Sequence, residues 1–311
     1  MNTQMYKPEG FYVGTEGRES FYSQSMLEKA LATGKILEAQ VTLCDSEFSL
    51  YVDLGAMKGK IPRSEAVYQP SGEEIKDIAV ITRVGKTVAF KVIGFAVENG
   101  ETIAILSRKE AQRACLENYL MTLVPGDVVD ACVTHLEPFG AFVDIGCGVI
   151  SLLSIDCISV SRISHPRDRF YTGMHIKAII KNIDYETARI YVSHKELLGT
   201  WEENVAKFEV GQTIAGVVRS IEPYGIFVEL TPNLAGLAEY REGVTPGQRA
   251  AVYIKNIIPE KMKVKLVLVD AYSSSAPSDY RFEYFETHTH IDRFVYSPPV
   301  CGKLIATTFS E

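Results

Sequence analysis

The sequence predicts an all-β chain of three small closed barrels, five strands each, set in tandem and joined by short helical linkers. One short design recurs: EFSLYVDLG from Glu47, PFGAFVDIG from Pro138 and PYGIFVELT from Pro223, at intervals of 91 and 85 residues. Each copy sits among strand-like runs, about five to a unit of roughly 60 to 80 residues, which suits a barrel that closes on itself and so hides its own edges. Segments of helical spacing separate the copies.

In chain order, residues 1–32 form an N-terminal extension containing the helix SMLEKALATG. The first unit spans 33–112 and includes TVAFKVIGF and ETIAILS; a helical linker follows at 113–124, continuing RKEAQRACLENYLMTL. The second unit spans 125–198, with HIKAIIKNID and ARIYVS, and closes on VSHKELL as the first closes on LSRKEAQ. GTWEENVAKFEVG supplies the linker at 199–209, and a shorter third unit occupies 210–271, with QRAAVYIKNI and KVKLVLV. The linker helices are expected to plug barrel ends or pack between barrels. At 272–311, the polar break SSSAPSD precedes YRFEYFETHTHIDRFVYSPP, whose alternation suits a hairpin folded back on the third unit.

The chain has 311 residues and a net charge of −7, which argues against a polycation that coats nucleic acid indiscriminately. No run of 18 apolar residues occurs, and Glu9 and Glu16 interrupt the opening where a secretion signal would need its apolar stretch, so a cytosolic protein with no membrane partner is expected. The six cysteines show no metal or disulfide spacing and read as reduced thiols. There is no phosphate loop, dinucleotide fingerprint, HExxH or GxSxG, so the chain reads as no enzyme, with no cofactor and no small-molecule substrate. His288, His290 and Asp292 could share a strand face and hold a metal, but THTHID has no second ligand cluster and reads as a solvated hairpin edge. His135, His165, His175 and His194 are scattered and add no metal site.

Candidate binding residues emerge from the pleat. Side chains two apart on a strand share a face. With Ala141, Val143 and Ile145 inward, Phe142 shares a face with Asp144; likewise Phe227 pairs with Glu229 and Tyr51 with Asp53. A second ring stands three residues earlier, at Phe48, Phe139 and Tyr224, followed in two units by Gly140 or Gly225, which would leave room for a close approach. Rings on a polar face suit base stacking, worth about 1 to 3 kcal/mol per base. Lys91, Lys181 and Lys255 occupy matching places in the late strand of each unit (AFKVI, IIKNI, YIKNI), and Arg189 and Lys263 begin the last strands of units two and three, as candidate phosphate contacts. The loop SVSRISHPRDRF, with Arg162, Arg167 and Arg169, is a further candidate for a nucleic-acid backbone, or an ordinary surface loop.

From Thr33 to Ala271 these residues resemble the S1-motif RNA-binding domain family, an OB fold, most specifically in GDVVDACVTHLEPFGAFVDIG, SLLSID and IKNIDYETARIYVSHK. The order of whole units, with GTWEEN between them, is similar to short bacterial members. The resemblance implies single-stranded RNA binding by two aromatics, a histidine, an acidic or amide residue and an arginine. Phe139 and Phe142 match the aromatics, Asp184 the acid and Arg189 the arginine, while Ser154 stands at the histidine position. Unit one keeps Phe48 and Tyr51 but has Pro62 and Gly94 at the histidine and acidic positions and no arginine; unit three keeps Tyr224 and Phe227 with Glu239 at the histidine position. Unit two is therefore the best expected RNA binder, and the implied role is messenger RNA binding in translation at the small ribosomal subunit. A protein-interaction scaffold of degenerate barrels is the alternative, favoured by net acidity and the missing histidines.

Overall fold

The computed structural model describes residues 6–12, 21–70, 74–273, 282–285 and 288–309; Glu16 and most of SSSAPSD lie outside them. Three closed five-stranded barrels follow one another along the chain. The first comprises β1 (Ile36–Cys44), β2 (Leu50–Asp53), β3 (Lys58–Ile61), β4 (Thr87–Glu98) and β5 (Glu101–Ser107). The second comprises β6 (Val128–Glu137), β7 (Gly140–Asp144), β8 (Ile150–Ser154), β9 (His175–Asp184) and β10 (Arg189–Ser193). The third comprises β11 (Thr213–Glu222), β12 (Gly225–Thr231), β13 (Leu234–Ala238), β14 (Arg249–Ile258) and β15 (Lys263–Tyr272).

All three share one topology: a three-stranded meander whose last strand pairs in parallel with the fifth, which returns through the fourth to the first. Alternation decides what fills each barrel. Ala141, Val143 and Leu153 are fully buried in the second, as are Leu50, Ile61 and Leu106 in the first and Val228, Val252 and Ile254 in the third. Each large apolar side chain so placed contributes about 1.5 to 3 kcal/mol relative to exposure.

Helices cap and couple the barrels. Helix α1 (Gln24–Thr33) is capped by Ser23, whose hydroxyl accepts from the Met26 amide, and it ends on Gly34 in the left-handed region, the usual C-terminal stop. Its Leu27 and Ala30 enter the core of the first barrel. A one-turn helix α2 (Asp77–Ile81) precedes β4. Helix α3 (Arg108–Asn118) starts directly from β5 and sends Cys115 and Leu116 into the core of the second barrel. Thr200 and Glu203 form a capping box for α4 (Trp201–Val205), and Trp201, the chain's single tryptophan, packs into the third core.

The second and third barrels are pinned by a buried joint. Arg169 pairs with Glu229, which also accepts from Arg219 Nε at 2.7 Å, while Asn233 takes the Val160 amide and donates to Lys195 and Gly199 carbonyls. The loop read as a possible RNA contact therefore serves this joint through Arg169, which is 2% exposed; only Arg162 and Arg167 remain at the surface.

The C-terminal segment departs from the expectation. It lies first on the second barrel: Val128 donates to the Thr289 carbonyl and Ile291 to that of Gly126. Gly126 has φ +100°, and a Cβ there would fall 2.4 Å from the Ile291 oxygen, so only glycine admits the contact. The segment then reaches the third barrel, where Tyr296 enters the core and donates to the Asn233 carbonyl at 2.6 Å. Its hairpin is brief, pairing β16 (Arg293–Val295) with β17 (Ala306–Thr308). The third barrel closes on its own strands without it.

Candidate nucleic-acid interface

On the second barrel the expected rings meet. Phe139 is 55% exposed at the turn before β7, and its ring stands edge-on to Phe142, centroids 6.1 Å apart at 90°. His135 on β6, which the sequence reading had set aside, lies nearly parallel to Phe142 at 6.4 Å and 27°, its Nε2 held 2.7 Å from Glu137. A bulge between Val133 and His135 brings it opposite Phe142. The bulge was the missing signal, because simple alternation counted from Val133 gives a different partner.

The ladder extends this cluster into a row across the outside of the barrel. His135 faces Phe142, Phe142 faces Leu152, Leu152 faces Tyr191 and Tyr191 faces Asn182. None of the five is buried. Ser154 lies directly opposite Gly140, and the Ile155 amide donates to the Phe139 carbonyl at 2.9 Å, so the β8 end backs the exposed ring. Gly140 is glycine for that strand contact, since a Cβ would fall 2.5 Å from the Leu153 oxygen; at Gly225 it would meet the Ala238 oxygen at 2.4 Å. The space read as room for a ligand is filled by the adjacent strand.

The acids read as neighbours of the rings have other work. Asp144 is 2% exposed and accepts from the Gly146, Gly148 and Glu9 amides; burial, then the nearby Glu9 charge, push its pKa up to about 7. Glu229 is committed to Arg169 and Arg219. Only Asp53 is exposed, capping its own turn through the Gly55 amide. Asp184 likewise closes the β9–β10 turn, accepting from the Glu186 and Thr187 amides and the Thr187 hydroxyl, and the hydroxyl bond is the main cause of its lowered pKa. Asp184 pairs in register with Arg189, which is exposed.

The three lysines do not occupy one position. Lys181 and Lys255 are the extra residues of bulges in β9 and β14, and the matching bulge of β4 holds Ile93. Lys91 is instead the counterpart of Ile179 and Tyr253, and Gly94 that of Asn182 and Asn256 rather than of Asp184. Similar residues around AFKVI and IIKNI disguised a two-residue offset. Lys181 also turns its Nζ to Cys157 Sγ at 3.2 Å, whereas Lys255 is exposed.

The other faces are variants of the same row. On the third barrel Tyr224, 68% exposed, stands 6.2 Å and 89° from Phe227, and the row runs Ser220, Phe227, Leu237, Lys265 and Asn256. Lys265 thus stands where Tyr191 stands on the second barrel, and exposed Lys263 where Arg189 stands. Glu239 is exposed just beyond β13. On the first barrel the rings already carry cations. The Arg63 guanidinium sits 5.0 Å over Phe48, and Lys60 Nζ sits 5.6 Å over Tyr51, whose hydroxyl donates to Asp45 at 3.1 Å. Ile103, not an arginine, stands where Arg189 stands on the second barrel; the guanidinium over Phe48 comes instead from beside Pro62.

At the far end of the second row, His290 is held on both ring nitrogens, by Asp127 at 2.7 Å and Asp292 at 3.2 Å, and the Asp127 bond is the chief cause of its raised pKa. Two carboxylate partners favour the doubly protonated ring, which has no lone pair to give a metal.

Comparison with known proteins bears on the same barrels. The family model described as S1 RNA binding domain matches residues 30–109 and 123–195. The small ribosomal subunit protein bS1 of Staphylococcus aureus strain COL is 34% identical over 264 residues, covering 80% of this chain and 65% of its own length. The protein of the same name from Rhizobium meliloti is 30% identical over 236 residues, 70% of this chain and 40% of its own. A crystal structure of a multidomain protein with nucleic acid binding domains from Streptococcus pneumoniae aligns over 78% of this chain and 75% of its own, at 15% identity and a TM-score of 0.26. The chain spans less than two thirds of the length of the ribosomal relatives.

Proposed function

The first two barrels belong to the S1 RNA-binding domain family, and from that premise we propose that the chain binds single-stranded RNA, messenger RNA in translation at the small ribosomal subunit. The observation that carries the reading is the open cluster of Phe139, Phe142 and His135, continued along the barrel by Leu152, Tyr191 and Asn182. Rings of this kind stack on any base, and Arg189 offers a phosphate contact, so the site needs no particular sequence. Ser154 lies beside the cluster as a hydrogen-bonding group.

Under this reading the second barrel binds most strongly. The third adds Tyr224, Phe227, Lys255, Lys263 and Lys265, while the first must displace Arg63 and Lys60 before Phe48 and Tyr51 can stack. A buried joint holds barrels two and three together, so a strand that engages both faces meets the second at a high effective concentration. A binding role without catalysis and a cytoplasmic location belong to the same proposal; no helix among the described residues is long and apolar enough to cross a membrane.

Fluorescence anisotropy with unstructured RNA about 20 nucleotides long, which exceeds the site of one barrel, tests it. The protein is expected to prefer single strands to duplex, and Phe139→Ala with Phe142→Ala to weaken binding more than tenfold. Equal binding by the double variant would remove the platform from the account.

A further inference from the structure

A cavity of about 430 Å³ opens at the Asn182 end of the second barrel's row. One wall is the β9–β10 hairpin, with Asn182 and Tyr185; the other is the C-terminal segment, with His290, Asp292 and Phe309. Its size falls within the range of ordinary small-ligand sites and readily admits one nucleobase. From Phe142 to Asn182 the row crosses three strand spacings, about 14 Å, so a strand stacked on the platform reaches the cavity within a few nucleotides.

The lining selects a base rather than a phosphate. The Asp292 carboxylate is 81% exposed and one of its oxygens accepts from His290, whose other nitrogen is held by Asp127; two carboxylates about one protonated imidazole leave a net negative charge, which disfavours phosphate. A carboxylate accepts hydrogen bonds, and among the bases guanine alone presents two adjacent donors, N1–H and the 2-amino group, on one edge. Adenine and cytosine offer one amino group beside an acceptor, and uracil one N–H flanked by carbonyls. Tyr185, 64% exposed, offers a ring face for stacking, and Asn182 an amide able to donate to the guanine carbonyl.

We propose that this cavity is a guanine-selective subsite, built jointly by the second barrel and the C-terminal segment, which reads one base of an RNA strand otherwise held without sequence preference. The proposal rests on the RNA-binding reading above. The barrel alone would lack the wall that discriminates, since Asp292 and His290 come from outside it.

The test is anisotropy with an oligouridylate about 12 nucleotides long, within the span one such barrel covers, carrying at its centre uridine, guanosine, adenosine or inosine. Guanosine is expected to tighten binding about tenfold over uridine and adenosine, as one bidentate base contact does, and inosine, without the 2-amino group, to lose most of that gain. Asp292→Asn should abolish the guanosine advantage without weakening oligouridylate binding. Tyr185→Ala should reduce the advantage, with an unchanged circular-dichroism spectrum and melting temperature confirming that both variants fold. Equal affinity for guanosine and inosine, or an advantage that survives Asp292→Asn, overturns the subsite. If oligouridylate itself does not bind, the underlying RNA reading fails, and the subsite with it.

Discussion

Arg108 and Glu9 are joined by two charge-assisted hydrogen bonds, Nε to Oε1 at 2.6 Å and the terminal nitrogen to Oε2 at 2.9 Å, with both side chains more than nine-tenths buried. Glu9 also donates its amide to Asp144 at 2.7 Å and accepts from the Ala89 amide at 3.0 Å, so one residue of the N-terminal segment ties the first barrel to the second. Removing one partner of such a pair strands the other charge out of water. Arg108→Met is expected to cost about 3 to 5 kcal/mol, read as a lowered urea midpoint. An unchanged midpoint would mean that water reaches Glu9.

Glu38 lies in the same junction. Burial, then repulsion from Glu9, push its pKa up to about 7, and among the described residues its second oxygen has no hydrogen-bond partner. The folded state therefore holds the proton more tightly than the unfolded one, whose carboxyl titrates near 4.3, and stability falls as pH rises from about 4 through 7. Glu38→Gln should raise the melting temperature at pH 8 and leave it little changed at pH 5. A gain of equal size at both pH values would assign the effect to something other than charge.

His194 has the opposite sign. It is fully buried and neutral, with its pKa pushed down to about 4 by desolvation. Nδ1–H donates to the Ile158 carbonyl at 2.9 Å, and Nε2 accepts from the Tyr284 hydroxyl, which itself accepts from the Lys177 amide at 3.0 Å. The unfolded imidazole takes up a proton near pH 6.5 and the folded one resists it, so stability is lost as pH falls from about 6.5 toward 4, by up to about 3 kcal/mol. Urea titrations at pH 7 and 4.5 should show His194→Gln losing less stability on acidification than the parent chain.

His135 and Arg189 separate stacking from charge on the RNA face. His135→Ala is expected to weaken single-strand binding several-fold at every salt concentration, the size of a lost stacking partner. Arg189→Ala should lower the salt slope of log affinity by about 0.7, one phosphate on a single strand. Lys181→Ala should change that slope less, since its ammonium already donates to Cys157. A larger slope change for Lys181 than for Arg189 would reverse their roles.

What was legible in the sequence was local or repeated. Alternation put Ala141, Val143 and Ile145 inside without any coordinates, and three copies of one pattern set the number of barrels. Phe139 with Phe142, and Tyr224 with Phe227, were legible because two rings three residues apart across a tight turn must come close. His135 was not, because its bulge inserts a residue that period-two counting cannot see. The same cause displaced Lys91 from Lys181 and Lys255.

The sequence by itself determined the strands, the inward faces and the paired rings, all properties of neighbours within a few residues. Only the tertiary structure decided which strands lie side by side, and so joined Tyr191 and Asn182 to the platform and turned Asp144 and Arg169 from surface charges into buried joints. It alone carried residues around 290 back to Gly126 and Val128. The physical reason is that pleat and turn preferences act through covalent neighbours, whereas register, burial and long-range pairing depend on surfaces that exist only after each barrel has closed.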